Sequence, residues 1–505
     1  MKEFFQESPT LGNQYSEDWV LRSYLKRKIP EKFFSKIEPD LHRLGDRVIN
    51  EIQGLADMAE AAPPKHVPYD PWGRRIDQIE VSPAWRELDR ISAEERLISI
   101  AYEREYGEYS RIYQFAKLYL FHPSSAIYSC PLAMTDGAAR AIELYGNEFL
   151  KKNAFQHLTS TDPTKFWTSG QWMTEKTGGS DVSGTTTVAR FEKGQYHLYG
   201  TKWFTSATTS QMAMTLARIE GAPAGSRGLS LFYVELRNQN GQLNQIRVNR
   251  LKDKLGTRAL PTAELTLEGT PAILVGDEGN GVKKISSLFN ITRIFNACCA
   301  VGYMRRGLAL ALDYSKKRVA FGRPLIEHGL HLETLANLQV EFEAGFYFVF
   351  RAIELLGKEE LGQSTREESA TLRLLTPLVK LYTAKQAVSG ASEILESFGG
   401  AGYVEDTGLP RLLRDSQVLS IWEGTTNVLS LDVLRAIEKE NVGEPFLKDM
   451  RGRMHRISSR ELAPLVVLVS KAIQELESCL SEMSSFSDEK RQTGARQLSL
   501  SLART

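Results

Sequence analysis

At 505 residues the chain is too long for one hydrophobic core, and ordinary domain sizes suggest about three. A hydrophobic content of 42% with 25% charged residues is that of a globular protein, and a net charge of +1 argues against a molecule governed by nucleic-acid or membrane electrostatics. Any basic site must therefore be local.

The N-terminal stretch carries Glu3, Glu7, Glu17 and Asp18 and no apolar core of secretory length, so neither a signal nor a transit peptide is expected. The expected location is the cytosol, with a mitochondrial one also compatible. Residues 18–62 read as helices, Leu41, Leu44, Val48, Ile49 and Ile52 recurring at three- and four-residue steps until Pro63 and Pro64. Residues 69–83 read as turns. Helical patterns resume at Ala84 and run, with breaks at His122-Pro123 and Pro131, to about Asn153.

From about Phe166 the texture changes: two β-branched and aromatic runs are separated by Glu192-Lys193-Gly194, a hairpin signal. Further strands are expected over 212–219, 229–236, 246–251, 263–268 and 272–275. Past Gly281 helical periodicity returns over 282–319, 332–361, 367–398 and 430–439, enough for a four-helix bundle. The tail from Gly443 carries a basic helix with Arg451, Arg453, Arg456 and Arg460, an apolar helix near 462–483, and a serine-rich end expected to fray. The expected fold is mainly α with a small β domain: an N-terminal helical domain (1–165), a middle β-barrel-like domain (166–280), a C-terminal helical bundle (281–442) and a helical extension (443–505). The densest apolar run, 464–469, is far short of the ~20 residues that span a bilayer. Cys130, Cys298, Cys299 and Cys479 lack metal-ligand spacing, so buried thiols in a reducing compartment and no metal are expected.

Two stretches carry chemistry. Residues 395–427, LESFGGAGYVEDTGLPRLLRDSQVLSIWEGTTN, join a glycine cluster to Glu423, which stands between Trp422 and Gly424 and is followed by Thr425, Thr426 and Asn427. An apolar neighbour and a backbone without a side chain let a carboxylate lie over a flat ligand as a general base. The same residues also read as a helix start, with Thr425 or Thr426 as N-cap of the apolar run 428–434. The second stretch, MTEKTGGSDVSG from Met173 to Gly184, resembles the T-E-x-x-G-G-S-D-x-x-G motif of the acyl-CoA dehydrogenases. Glu396, Gly399, Gly400, Gly402 and Tyr403, followed by Asp406, Arg411 and Asp415, resemble the same family's Q-x-x-G-G-x-G-[FY] motif with its spaced charges. Within that superfamily, YDPWGRRIDQIEVSPAWREL, RLKDKLGTR and SIWEGTTN resemble the AidB-like branch, and the resemblance covers roughly residues 8–440.

Removing two hydrogens from an alkyl chain needs a base for the α-proton and an acceptor for the β-hydride, and no side chain accepts hydride. Gly399-Gly400-Ala401-Gly402 follows a helical run and does not match the nicotinamide motif. The resemblance implies FAD. It implies that Met173 and Thr174 lie at the ring edge, that Gly179 allows a close backbone approach, and that Ser180 meets the pyrophosphate or substrate. Trp203, Phe204 and Thr205 fall at the ring's far face and N5 region. Arg318 and Phe321 serve the adenine half together with Glu396 and Gly400 supplied across a subunit interface, so a homo-oligomer, dimer or tetramer, is expected. Thr425 and Asn427 fall with the cofactor, Arg293 and Gly424 with the substrate, and Glu423 matches the catalytic base. Four positions depart from the family: Trp172 replaces a small residue and is expected to narrow the pocket, Asn290 removes a charge partner of Arg293, Glu396 replaces a glutamine, and Trp422 replaces a tyrosine.

The reaction so implied is α,β-dehydrogenation of a fatty acyl-CoA to a trans-2-enoyl-CoA, with an electron-transferring flavoprotein as acceptor. A second reading is a fatty acyl-CoA-sequestering protein with little turnover. The third is AidB-like nucleic-acid association, for which only the Arg451 to Arg460 cluster speaks, and that cluster reads first as a solvated helix face.

Overall fold

Apolar residues at helical spacing give α1 (Trp19–Lys28), α2 (Glu31–Arg47) and α3 (Gln53–Ala61). The Asp18 carboxylate caps α1 by accepting the Leu21 N–H, and a π-turn over Val48–Ile52 joins α2 to α3 while Leu41, Leu44, Val48 and Ile52 stay fully buried. The computed structural model describes residues 5–483 and 485–505. They pack as two units, one of Ser8–Glu105 with Tyr113–Phe295, the other of the residues to Glu7 with Tyr106–Ile112 and Asn296–Thr505. This division is coarser than the four expected segments because helices and strands share cores: Ala138, Ile142 and Leu150 pack with Met214, Leu231 and Leu288.

In the first unit, part of the stretch expected to be turns alone pairs as a hairpin of β1 (Lys65–Tyr69) and β2 (Arg75–Glu80). Pro68 inside β1 and a register shift after Val67 hide the alternation that would have revealed it. Ser82 caps α4 (Pro83–Glu94), which precedes α5 (Ser99–Glu103), α6 (Ser110–Phe121), α7 (Ser129–Tyr145), α8 (Glu148–Lys152) and α9 (Ala154–Leu158). His122-Pro123 interrupts the helices as expected, whereas Pro131 lies in the first turn of α7, where a missing N–H breaks no helical bond.

The strands are β3 (Ser169–Trp172), β4 (Val188–Glu192), β5 (Gln195–Ser206), β6 (Met212–Ile219), β7 (Leu229–Glu235), β8 (Ile246–Leu251) and β9 (Thr262–Leu274). The pairing path β6–β4–β5–β9–β7 returns to β6, with β3 parallel to β6 and β8 antiparallel to β9. Lys193 and Gly194, at φ +52° and +84°, form the tight turn that suits strand twist. The two strands expected over 263–275 are one, since Gly269, at φ +96°, absorbs a bulge opposite Leu198 and Tyr199.

The second unit takes up the long helix α10 (Gly281–Lys317) from Asn296 onward. Then come the short hairpin β10 (Val319–Ala320) and β11 (Arg323–Pro324), and the helices α11 (Gly329–Glu360), α12 (Arg366–Ser397), α13 (Leu409–Leu419) and α14 (Thr426–Glu440). Ala311 and Tyr314 of α10 pack with Leu335 of α11, Ile394 of α12 and Leu409 of α13. The extension forms α15 (Gly443–His455), α16 (Ala463–Met483) and α17 (Asp488–Arg504). The end expected to fray is helical because Ala495, Leu498 and Leu502, at three- and four-residue steps, are buried.

Candidate active site

The loop after β3 is built around Glu175. Its carboxylate accepts from Lys202 Nζ at 2.8 Å and from the N–H and hydroxyl groups of both Thr186 and Thr187 at 2.5–3.2 Å. Burial alone would raise its pKa, but the ammonium and the threonines outweigh that and hold it at about 2. Burial pulls Lys202 down despite the same partner, and five donors on the carboxylate make the charged pair the form we assign. The pair fixes the loop to β5, and the Trp203 N–H donates to Thr174 O at 2.9 Å. A Cβ on Gly179 would lie 2.7 Å from Thr174 Oγ1, so only glycine lets the chain pass there. Thr174 is half-buried and Ser180 exposed.

Trp203 and Phe204 both escape the interior because the β5 register shifts between Lys202 and Thr205. Phe204 is 52% exposed, and Lys252 Nζ lies 3.6 Å from the Trp203 ring centroid and 2.7 Å from Glu264 Oε1. Thr205 has no accessible surface, and its hydroxyl donates to Ala263 O at 2.8 Å. Met173 is buried in the core shared by helices and strands. Trp172, expected to narrow the pocket, instead turns to the opposite side of β3 and is fully buried in the sheet core with Phe232 and Leu265. That is a correction with a simple cause: adjacent residues of a strand face opposite ways. Arg293 is half-buried on α10.

In the second unit Glu423 has φ +55°, a left-handed conformation uncommon outside glycine, and Gly424 follows at +99°. Side chains from elsewhere in the unit hold this turn. Fully buried Lys380 of α12 donates to Gly424 O at 2.6 Å, the Trp422 indole N–H donates to Asn296 Oδ1, and Asn296 Nδ2 donates to Leu419 O at 3.0 Å. A Cβ on Gly424 would lie 2.9 Å from Leu429 Cδ2. Thr425 is the N-cap residue of α14 but makes no side-chain cap bond, and Asn427 Oδ1 accepts from Arg496 Nη1 at 3.0 Å.

Arg318 follows α10 and donates to Gln6 Oε1 at 3.1 Å. Phe321 and Gly322 form a two-residue turn with φ +51° and +83°, leaving the Phe321 ring 96% exposed. Glu396 and Gly400 are exposed near the end of α12, beside Tyr403 at 91%. The Tyr314 and Phe398 rings, 4.6 Å apart, bring the ends of α10 and α12 together. The basic tail is partly neutralised: Arg451 binds Glu444 and Glu477, and Arg453 binds Asp449. Cys479 is exposed, against expectation, while the other three cysteines are buried.

Three family models match successive stretches: the adaptive response protein AidB N-terminal domain (residues 7–162), the acyl-CoA dehydrogenase middle domain (170–270) and the acyl-CoA dehydrogenase C-terminal domain (279–438). Acyl-CoA dehydrogenase family member 11 of Caenorhabditis elegans is 50% identical over 87% of this chain and 73% of its own length. The chain belongs to the acyl-CoA dehydrogenase family. Within it the AidB-like branch is marked by the N-terminal match and by putative acyl-CoA dehydrogenase AidB of Escherichia coli, 33% identical over 76% of this chain and 71% of that protein. The crystal structure of C. elegans ACDH-11 in complex with C11-CoA superimposes with a TM-score of 0.97 at 46% identity, covering all of this chain and 88% of that one. The expected acyl-CoA dehydrogenase architecture is thereby borne out. Sequence reasoning missed Glu175, Lys202, Lys252 and Lys380. The first two sit inside or beside the quoted motifs, and Lys252 lies in RLKDKLGTR, but nothing local distinguishes Lys380 from a surface lysine.

Proposed function

We propose that this acyl-CoA dehydrogenase family member uses FAD to convert a fatty acyl-CoA to its trans-2-enoyl-CoA, with Glu423 as the base that takes the α-proton. The observation that carries this is the left-handed Glu423 held before Gly424 by Lys380 and by the Trp422 to Asn296 bond. Such a conformation costs of order 1 kcal/mol and persists where the surroundings over-determine it, which is typical of functional positions. FAD, when bound, supplies the hydride acceptor that no side chain offers. The residues fit it: Gly178 and Gly179 carry no side chain of their own, exposed Ser180 presents a hydroxyl, and Trp203 and Phe204 present aromatic surface. We assign Thr174, Gly179 and Ser180 to holding it and Arg293 and Gly424 to the substrate. Thr205 and Met173 contribute backbone atoms in this reading, since their side chains are engaged in the fold.

The C11-CoA complex of the C. elegans relative supports a fatty acyl-CoA as ligand. Exposed Phe321 and Tyr403 support a homo-oligomer in which Arg318, Glu396 and Gly400 complete the adenine half, with an electron-transferring flavoprotein as outside acceptor. Among the described residues no helix is long and apolar enough to cross a membrane, and a cytosolic location is part of the reading. Arg451 and Arg453 are paired with acids while Arg456 and Arg460 are exposed, and the net charge of +1 supports the reading without nucleic acid. The test is product analysis: wild-type protein given saturated acyl-CoAs and a chemical electron acceptor should yield the enoyl-CoA by mass spectrometry. Tight acyl-CoA binding with no product from any chain length would replace dehydrogenation by sequestration.

A further inference from the structure

The proposed reaction leaves the C-terminal extension without a task, yet a cleft of about 870 Å³ lies between α16 and α17. Leu476, Cys479 and Met483 of α16 face Gly494 and Leu498 of α17 across it, at spacings that put each set on one helix face. Nothing lies within 4 Å of a Cβ built on Gly494, so the space there is open. Lys490 edges the cleft near the turn between the helices, its Nζ 3.5 Å from the Phe486 ring centroid, and exposed Arg504 edges it near the other end of α17. The remaining charges largely cancel: Arg491 is bound by Glu438 and Asp488, Glu475 faces Lys471 at 3.9 Å, and Glu489 is exposed on the rim.

An apolar floor with a cation toward each end complements a single-chain anionic amphiphile, and the volume is that of a small-molecule pocket rather than of a macromolecular groove. We propose that this cleft binds a fatty acid or fatty acyl thioester, at a site separate from the residues assigned to catalysis. The apolar chain lies along Leu476, Met483 and Leu498, and Lys490 or Arg504 meets the anionic head.

Cys479 stands in the cleft wall as the exposed cysteine, so its alkylation by a maleimide reports occupancy. The full-length protein is labelled with increasing dodecanoate or, separately, dodecanoyl-CoA, below micelle-forming concentrations. Labelling should slow saturably, by about tenfold, with at least one of them, since a covered thiolate cannot react. Which one protects identifies the source of the anionic head. Gly494→Leu fills the cleft and should abolish protection while keeping or raising the melting temperature, leucine being the better helix former. As a second variant, Lys490→Gln with Arg504→Gln should shift half-protection to several-fold higher ligand concentration. Labelling unaffected by either ligand, or protection that persists in Gly494→Leu, would overturn the proposal.

Discussion

Half-buried Glu423 has a left-handed backbone, and so does Gly424 after it. The sequence shows its neighbours, Trp422 and Gly424, but not Lys380, which reaches the turn from 44 residues away. The same limit applies at Asp89, which nothing local marks as unusual. Asp89 is half-buried, and desolvation of its carboxyl pushes it up from 3.8 to about 6 even though it accepts the Tyr128 hydroxyl at 2.8 Å. The folded state therefore keeps a proton that the unfolded chain loses above pH 3.8, and stability falls as pH rises through 3.8 to 6. The shift corresponds to about 3 kcal/mol. Asp89→Asn keeps an acceptor for Tyr128 and removes this loss. Thermal melts should show a higher melting temperature at pH 7 and a flatter pH dependence between 4 and 6. An unchanged profile would mean that Asp89 titrates alike in both states.

At the scale of elements, long periodic helices and hairpins with glycine turns were legible, and elements defined by tertiary partners were not. β1 and β2 carry Pro68 and little alternation, and α17 looks polar until Ala495, Leu498 and Leu502 find α14 and α12. The glycine loop after β3 was legible as a motif, but the pair that fastens it was not. Lys202→Met should unfasten it, leaving Glu175 buried without its cation, a change that typically costs about 3–5 kcal/mol. Denaturant titration measures the loss, and flavin content after purification should fall with it. Wild-type stability together with full flavin would show that the threonines hold Glu175 without help.

Across the whole molecule, the order of helices, small β domain and helices was legible from texture alone, because periods of two and of 3.6 residues leave distinct patterns. The sharing of one core by helices and strands was not, since it depends on contacts such as Leu288 against Gly137. Assembly belongs to this scale. Arg318→Ala should lower FAD retention and oligomer mass together, read by absorbance and light scattering, because the proposal gives that residue to a site shared between chains. Flavin lost from an intact oligomer would confine Arg318 to a role within one chain.

Glu423→Gln keeps nearly the same shape as Glu423 but cannot take the α-proton. Saturated acyl-CoAs of increasing length are mixed anaerobically with wild-type and variant protein, and the flavin absorbance is followed by stopped flow. Wild type should bleach within seconds for some chain length, while the variant binds FAD and acyl-CoA equally well and bleaches at least about 10²-fold more slowly. Equal bleaching in both proteins would mean that a group other than Glu423 takes the α-proton.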